Sequence, residues 1–327
     1  MAQYTVRRLL LFIPVMLGVL LVVFLTLRLV PGDPAVVYLG LEGSAEEIAA
    51  ARTRLGLDQP LPVQFARYVG NVLQGEFGRS IFQGSRVTEV LGQALIPTLE
   101  LAALSILITV LVALPLGIVA STRSNSPLDL LVTVGALLGV SMPLFWFAIL
   151  AIQLFSLQLG WLPSFGRGEG LFPSLVGLFG GGSLAQLGES LRYAFLPALT
   201  LALGPIAIVT RLTRGSMLEV LALDYIRTAR SKGLSERVVV YRHALRNAFL
   251  PILTILGLQF GTLLGGAVIT ESIYAWPGLG RLVVGAINQR DYPVVQGTVI
   301  VVALLVSVVN LLIDLSYAFI NPRIRYG

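Results

Sequence analysis

Six uncharged apolar runs confine this chain to one class of fold. They are Leu9–Leu27, Leu101–Ala120, Leu130–Leu159, Tyr193–Thr210, Asn247–Thr270 and Tyr292–Ile313. A helix crosses a hydrocarbon core of about 30 Å with about 20 residues, and each run is near or above that length. The expectation is an all-α integral membrane protein with six transmembrane helices. Charged residues make up only 12% of the chain, against roughly 25% in soluble domains, which agrees with this reading.

The first run follows Arg7 and Arg8 and is longer than a usual signal core. No small-x-small cleavage site follows it before Pro31, so it is expected to be retained as a span. A seventh uncharged run, Leu171–Leu187, contains Gly177, Gly180, Gly181 and Gly182 and makes a poor helix. Charge decides the count. Arg211, Arg214, Arg227, Arg230, Lys232, Arg237, Arg242 and Arg246 crowd one segment, and basic loops stay in the cytoplasm. Six spans with a cytoplasmic N-terminus put that segment inside, together with Arg123, Arg323 and Arg325. A seventh would export it.

Three organisational units follow: a first transmembrane helix (1–30), an extracytoplasmic segment (31–95), and a core of five helices (96–327) containing the basic loop 211–246. Within the external segment, Ser44-Ala-Glu-Glu47 is a capping box that starts a short helix ending near Gly56. Leu57–Pro62 is a turn, and Val63–Gln74 forms a second helix. Gly160–Arg192 and Glu271–Asp291 are further external segments. These surfaces either pack over a pore mouth or dock an external partner; the residues alone leave both open.

Several kinds of chemistry are excluded. The chain has no cysteine and one histidine, His243, so zinc sites and His-based proteolysis lack their ligands and bases. Its only lysine, Lys232, precedes Gly233, where a P-loop needs Ser or Thr. Asp129 and Asp314 flank different spans and make no catalytic pair. Nor are charges placed inside spans as an ion-coupled carrier requires. Arg28, Glu100 and Asp314 lie near span ends, where they are expected to anchor or pack. Nucleic acid is not an expected partner; the net charge of +6 is the arginine excess of cytoplasmic loops. Pro115, Pro143, Pro197, Pro205 and Pro251 are expected to kink spans. Gly257, Gly261, Gly265 and Gly266 permit close helix approach, which suits packing against a partner subunit.

The most informative stretch runs from Asp224 through Tyr225, Ile226, Arg227, Ala229 and Gly233 to Leu234 and Ser235. Residues 218–232 favour a helix that Gly233 ends. Tyr225, Ile226, Ala229 and Leu234 are expected on one side of it. Such a helix lies on a membrane or seats in a groove of another protein.

This stretch resembles the cytoplasmic loop of ATP-binding-cassette (ABC) importer permeases, in the form carried by the dipeptide/oligopeptide/nickel family. Asp224, Ala229 and Gly233 match the loop's acidic, small and glycine positions. His243-Ala-Leu-Arg246 stands where the general motif has Ile-x-Leu-Pro, a departure typical of this branch. Arg28-Leu-Val-Pro-Gly-Asp-Pro34, Gly56-Leu-Asp-Gln-Pro-Leu-Pro62, Gly75-Glu-Phe-Gly-Arg-Ser80 and Glu271-Ser-Ile-Tyr-Ala-Trp-Pro-Gly-Leu-Gly-Arg281 extend the resemblance over nearly the whole chain. The long external segment resembles the first permease of the family's heterodimeric pair.

The resemblance implies a type I importer permease fold with a cytoplasmic coupling helix, in a bacterial inner membrane. It implies a second homologous permease, two cytoplasmic ATPases that bind ATP and Mg, and an extracytoplasmic solute-binding protein. This chain itself then holds no cofactor, no metal and no catalytic residue. Asp224, Tyr225, Arg227, Ala229, Gly233 and Leu234 are the expected ATPase contacts. A short peptide is the preferred solute, with nickel chelates, glutathione and oligosaccharides carried by relatives. The competing expectations are an ion-coupled secondary carrier that works alone, and a channel or scaffold indifferent to ATP.

Overall fold

A computed structural model describes residues 2–29, 58–180 and 183–320, with isolated positions between 44 and 53. Thirteen α-helices, one of them the single turn Glu236–Val238, are found among the described residues, and no strand beyond a single bridge between Arg79 and Arg86. Of the short helix expected after Ser44, positions 46, 49, 50, 52 and 53 are helical; Glu47 of the capping box and the expected end near Gly56 lie outside the described residues, as do the side chains of Arg28 and Asp314.

The chain divides into two compact units. The first comprises residues 1–95 and 278–307. Here α1 (Ala2–Leu29) meets α2 (Leu61–Leu73) through Phe24, whose ring lies edge-on to Phe65 at 5.2 Å and tilted to Tyr68 at 5.7 Å. After α2 the chain turns through Gly75 and Gly78, both at positive φ, into a hairpin held by Asp291. The Asp291 carboxylate accepts from the Ser80 hydroxyl and from the N–H groups of Ile81 (3.2 Å) and Phe82 (3.4 Å). Val87, Leu91 and Ala94 form the core of this unit with the helix Leu279–Asn288 and Val294.

The second unit comprises residues 96–277 and 308–327. Its centre is α7 (Leu184–Leu221), entered through a capping box between Ser183 and Gln186. Around α7 pack α4 (Pro127–Ser141), α5 (Leu144–Ala151), α6 (Leu171–Phe179) and α9 (Leu245–Gly266). The long helix α3 (Val87–Thr122) comes so close to α7 that a Cβ at Gly117 would lie 2.5 Å from the Thr213 Cβ and 2.9 Å from the Thr210 carbonyl oxygen. Gly117→Ala is therefore expected to cost about 1–3 kcal/mol, as overpacking does, and to lower the melting temperature in detergent.

Among the described residues, four helices are long and apolar enough to cross a membrane: Val87–Thr122, Leu184–Leu221, Glu236–Gly265 and Tyr292–Ile313. The third expected span is not one straight helix. It is α4 followed by α5 and a π-helical turn, Ile152–Gln158, bent by 103° where they join. Pro143 causes the break. It pushes Met142 to φ −78°, ψ 124°, an extended conformation, so the expected kink is a full interruption. Counted as one span, the bent pair makes five; the apolar stretch of α1, Leu10–Thr26, is shorter. Pro115, Pro197, Pro205 and Pro251 remain inside continuous helices.

Leu107, Leu111, Leu130, Leu131 and Leu312 stand more than half exposed on these helices, a surface for lipid tails. The run Leu171–Leu187 is no span, since α6 stops at Phe179 and α7 starts five residues later at Leu184. Glu100 packs as expected. Its carboxylate takes a two-pronged ion pair from Arg167 at 2.7 and 2.9 Å and an N–H from Phe172 at 2.7 Å. Gly257 is used within the chain rather than against a partner, because its missing Cβ makes room for the Ile313 side chain.

Candidate functional site

The basic segment 211–246 is mostly helix. The helix α7 continues through it to Leu221, and a two-residue break at Ala222 and Leu223 leads into α8, Asp224–Ser231. Leu223 is extended (φ −73°, ψ 148°), and Asp224 puts a negative charge in the first turn, where the helix dipole favours it. At the other end Gly233 adopts φ +77°. Its N–H reaches the Arg230 carbonyl at 3.0 Å, and the Leu234 N–H reaches the Ala229 carbonyl at 3.4 Å. That pair of bonds is a Schellman motif, and it reverses the chain within three residues. A helical turn (Glu236–Val238) and a π-helical segment (Val239–Ala244) then lead into α9.

The helix α8 is anchored from beneath. Ile226 and Ala229 are buried in a core built from Ala113 and Ile118 of α3, Val209 and Met217 of α7, and Val239, Val240 and Ala244 of the π segment. Two polar ties hold its ends. Tyr225 donates its hydroxyl proton to the His243 carbonyl (3.4 Å) and accepts from the Asn247 side-chain amide (2.7 Å). Arg230 forms a fork with Glu236 at 2.6 and 3.1 Å across the glycine turn. The Glu236 carboxylate raises the Arg230 pKa above its ordinary value, though an arginine is charged at physiological pH in any case.

The outer face is what remains. The Asp224 and Arg227 side chains are 95% and 75% exposed and touch each other only at 3.4 Å. Tyr225 and Leu234 stand over a third exposed, as do Leu223 and Tyr241. A Cβ on Gly233 would meet nothing within 4 Å. The six residues singled out from sequence thus divide. Asp224, Tyr225, Arg227, Gly233 and Leu234 face outward, and Ala229 faces the chain's own core. Tyr225 and Leu234 do not share the buried side with Ile226 and Ala229, because Tyr225 sits at its edge and Leu234 lies past the reversal at Gly233. Sequence reasoning missed Leu223, Tyr241 and the Arg230–Glu236 tie. Leu223 lies inside the expected helical window 218–232 but at the break before α8, while Glu236 and Tyr241 lie beyond that window.

The result is a short helix with a buried apolar side, an exposed mixed face and both ends tied. Among the described residues no cluster of His, Cys, Asp or Glu could hold a metal ion.

Residues 113–326 match the family described as binding-protein-dependent transport system inner membrane component, and residues 1–102 match its N-terminal component. The dipeptide transport system permease protein DppB of Alkalihalophilus pseudofirmus is 43% identical over all of both chains. The glutathione transport system permease protein GsiC of Salmonella typhimurium is likewise 43% identical over all of both chains. The di/tripeptide transport system permease protein DppB of Pseudomonas aeruginosa is 43% identical, covering 100% of this chain and 99% of its own. Among solved structures, an inward-facing form of the MetNI methionine ABC transporter aligns with a TM-score of 0.56 at 16% identity. The alignment covers 71% of this chain and 96% of that one, a likeness of fold.

Proposed function

The chain belongs to the inner membrane components of binding-protein-dependent transport systems, and on that premise we propose that it conducts short peptides inward while α8 couples it to ATPases on partner chains. It is a membrane-embedded, multi-pass permease of an ABC importer; the proposal concerns its solute, partners and contacts. The observation that carries it is the outer face of α8, where Asp224, Tyr225, Arg227 and Leu234 project from a helix seated on Ile226 and Ala229. That arrangement suits a groove in a second protein. Ala229 serves it from below, as the small residue that lets α8 sit down on the core.

In this reading α1 is the sixth span, with 28 helical residues behind an apolar stretch that falls just short alone. Both termini are cytoplasmic, because the eight basic residues of 211–246 belong on that side. The chain supplies the pathway and no bond chemistry. ATP and Mg bind the partner ATPases, whose closure presses α8 and moves the spans above it. A second homologous permease completes the pathway, and a solute-binding protein delivers solute outside. The names of the relatives, dipeptide, di/tripeptide and glutathione permeases, support a solute with a peptide backbone.

The test is a mild-detergent pull-down of tagged chain from native membrane, followed by reconstitution of what is recovered. Expected are a second permease and P-loop ATPases, with uptake of radiolabelled alanyl-alanine or glutathione that needs ATP and the binding protein. A chain recovered alone that moves solute without ATP replaces this reading with a secondary carrier.

A further inference from the structure

The part of α7 that feeds α8 carries a second charged contact, which the docking face does not use. Arg214 lies about two helical turns before the end of α7 at Leu221. Its guanidinium forks onto Asp129, with Nε to Oδ1 at 2.6 Å and Nη2 to Oδ2 at 2.8 Å. Asp129 is in the first turn of α4 and almost wholly buried. It is held there from its own side as well. The Asn125 N–H donates to Oδ2 at 2.9 Å from a residue at φ +60°. Ser126 caps the Asp129 N–H at 3.3 Å, and the Thr133 hydroxyl reaches Oδ1 at 3.5 Å.

The carboxylate is therefore placed by α4 alone, where the helix dipole already favours it. Arg214 adds a bidentate fork, which fixes orientation as well as distance. One residue away, Thr213 packs onto Gly117 of α3 with no space for a Cβ. The cytoplasmic ends of α3, α4 and α7 are thus joined at one point next to the coupling helix. At the far end of α4 the chain breaks at Pro143 and turns by 103°. A movement passed to Asp129 travels along α4 and arrives at that break.

We propose that the Asp129–Arg214 pair is the positioning link through which α4 follows the coupling helix. The proposal rests on the reading of α8 as the ATPase contact, and its test separates the two. The native chain has no cysteine, so spin labels at Leu131→Cys and Glu219→Cys, both exposed, are the only ones in this subunit. In the reconstituted complex the native background keeps one narrow α4–α7 distance, nucleotide-free and vanadate-trapped. Asp129→Asn broadens it in the trapped state. The same variant, without labels, raises the ATP hydrolysed per solute imported by about fivefold or more, the low end of ordinary coupling energies. Radiolabelled alanyl-alanine or glutathione, whichever the native complex accumulates, is the probe. Exchanging the partners, Asp129→Arg with Arg214→Asp, restores part of the coupling, limited because an arginine opposes the dipole of α4.

An unchanged narrow distance in Asp129→Asn overturns the link. So does an equal loss of hydrolysis and uptake with their ratio kept, which marks a mere scaffold. If Asp129→Asn fails to assemble, Arg214→Lys, which keeps the charge and loses the fork, faces the same two outcomes. ATP-dependent uptake left normal by Gly233→Trp sinks the reading of α8 instead, and the distance in the trapped complex still decides the link.

Discussion

Replacing Gly233 with tryptophan abolishes solute uptake while the subunit stays folded and inserted. Two properties of the position separate these outcomes. A Cβ there meets nothing within 4 Å, so a side chain can start from this position without a clash inside the chain. The backbone at φ +77° charges any L-residue about 1–2 kcal/mol, a strain the buried Ile226 and Ala229 can bear. If α8 seats in an ATPase, the indole occupies space the partner needs. Loss of a hot-spot contact costs about 2 kcal/mol or more, a weakening of roughly thirtyfold. Gly233→Ala carries the same backbone strain without the bulk, and keeps most of the uptake. Comparing the two variants for yield, for ATPase recovered on the tagged chain and for uptake separates docking from folding. Normal uptake by the tryptophan variant refutes the assignment of α8.

Much of this site was legible because its signals are local. A run of helix formers closed by a glycine, set among arginines between two apolar runs, predicts a short capped helix, and α8 ends at the residue before Lys232 and Gly233. The spans were legible in kind and misjudged in extent. The run Tyr193–Thr210 lies inside a helix extending from Leu184 to Leu221, because Arg192, Arg211 and Glu219 end the apolar surface without ending the backbone hydrogen bonds. Hydropathy reports what lipid covers, and the helix continues past it. Five prolines looked equivalent, yet only Pro143 breaks its helix. A local rule states the missing N–H at each one and says nothing of which neighbours compensate. The ion pairs were illegible for a different reason. Asp129 and Arg214 are 85 residues apart, and Glu100 and Arg167 are 67 apart. Each partner alone reads as an ordinary charge beside a span; the packing of α4 against α7 forms one pair, and the fold of the loop 160–170 onto α3 forms the other.

Arg167→Ala is the variant expected to destabilise the fold most. The Glu100 side chain is 5% exposed, and two of its three partners are nitrogens of Arg167. Without them the carboxylate keeps only the Phe172 N–H, at 2.7 Å, in a site closed to solvent. Removing one member of a buried pair costs about 3–5 kcal/mol, because the remaining charge has lost water and gained nothing. The same loss removes one tie of the loop Gly160–Gly170, whose glycines at 160, 166, 168 and 170 all sit at positive φ; the Gly166 N–H bond to the Tyr274 carbonyl and the Arg192 bond to the Trp161 carbonyl remain. The expected result is a sharp fall in the fraction of monodisperse protein that survives heating in detergent. Glu100→Gln in the Arg167→Ala background recovers most of it, since the amide oxygen still accepts from Phe172 and no charge is left stranded. Glu100→Gln alone is milder, because Arg167 is 18% exposed and its long side chain can carry the guanidinium to water. This order, with the double variant more stable than Arg167→Ala, distinguishes a buried charge that requires its partner from a loop that merely loses contacts. In the second case removing Glu100 as well makes matters worse.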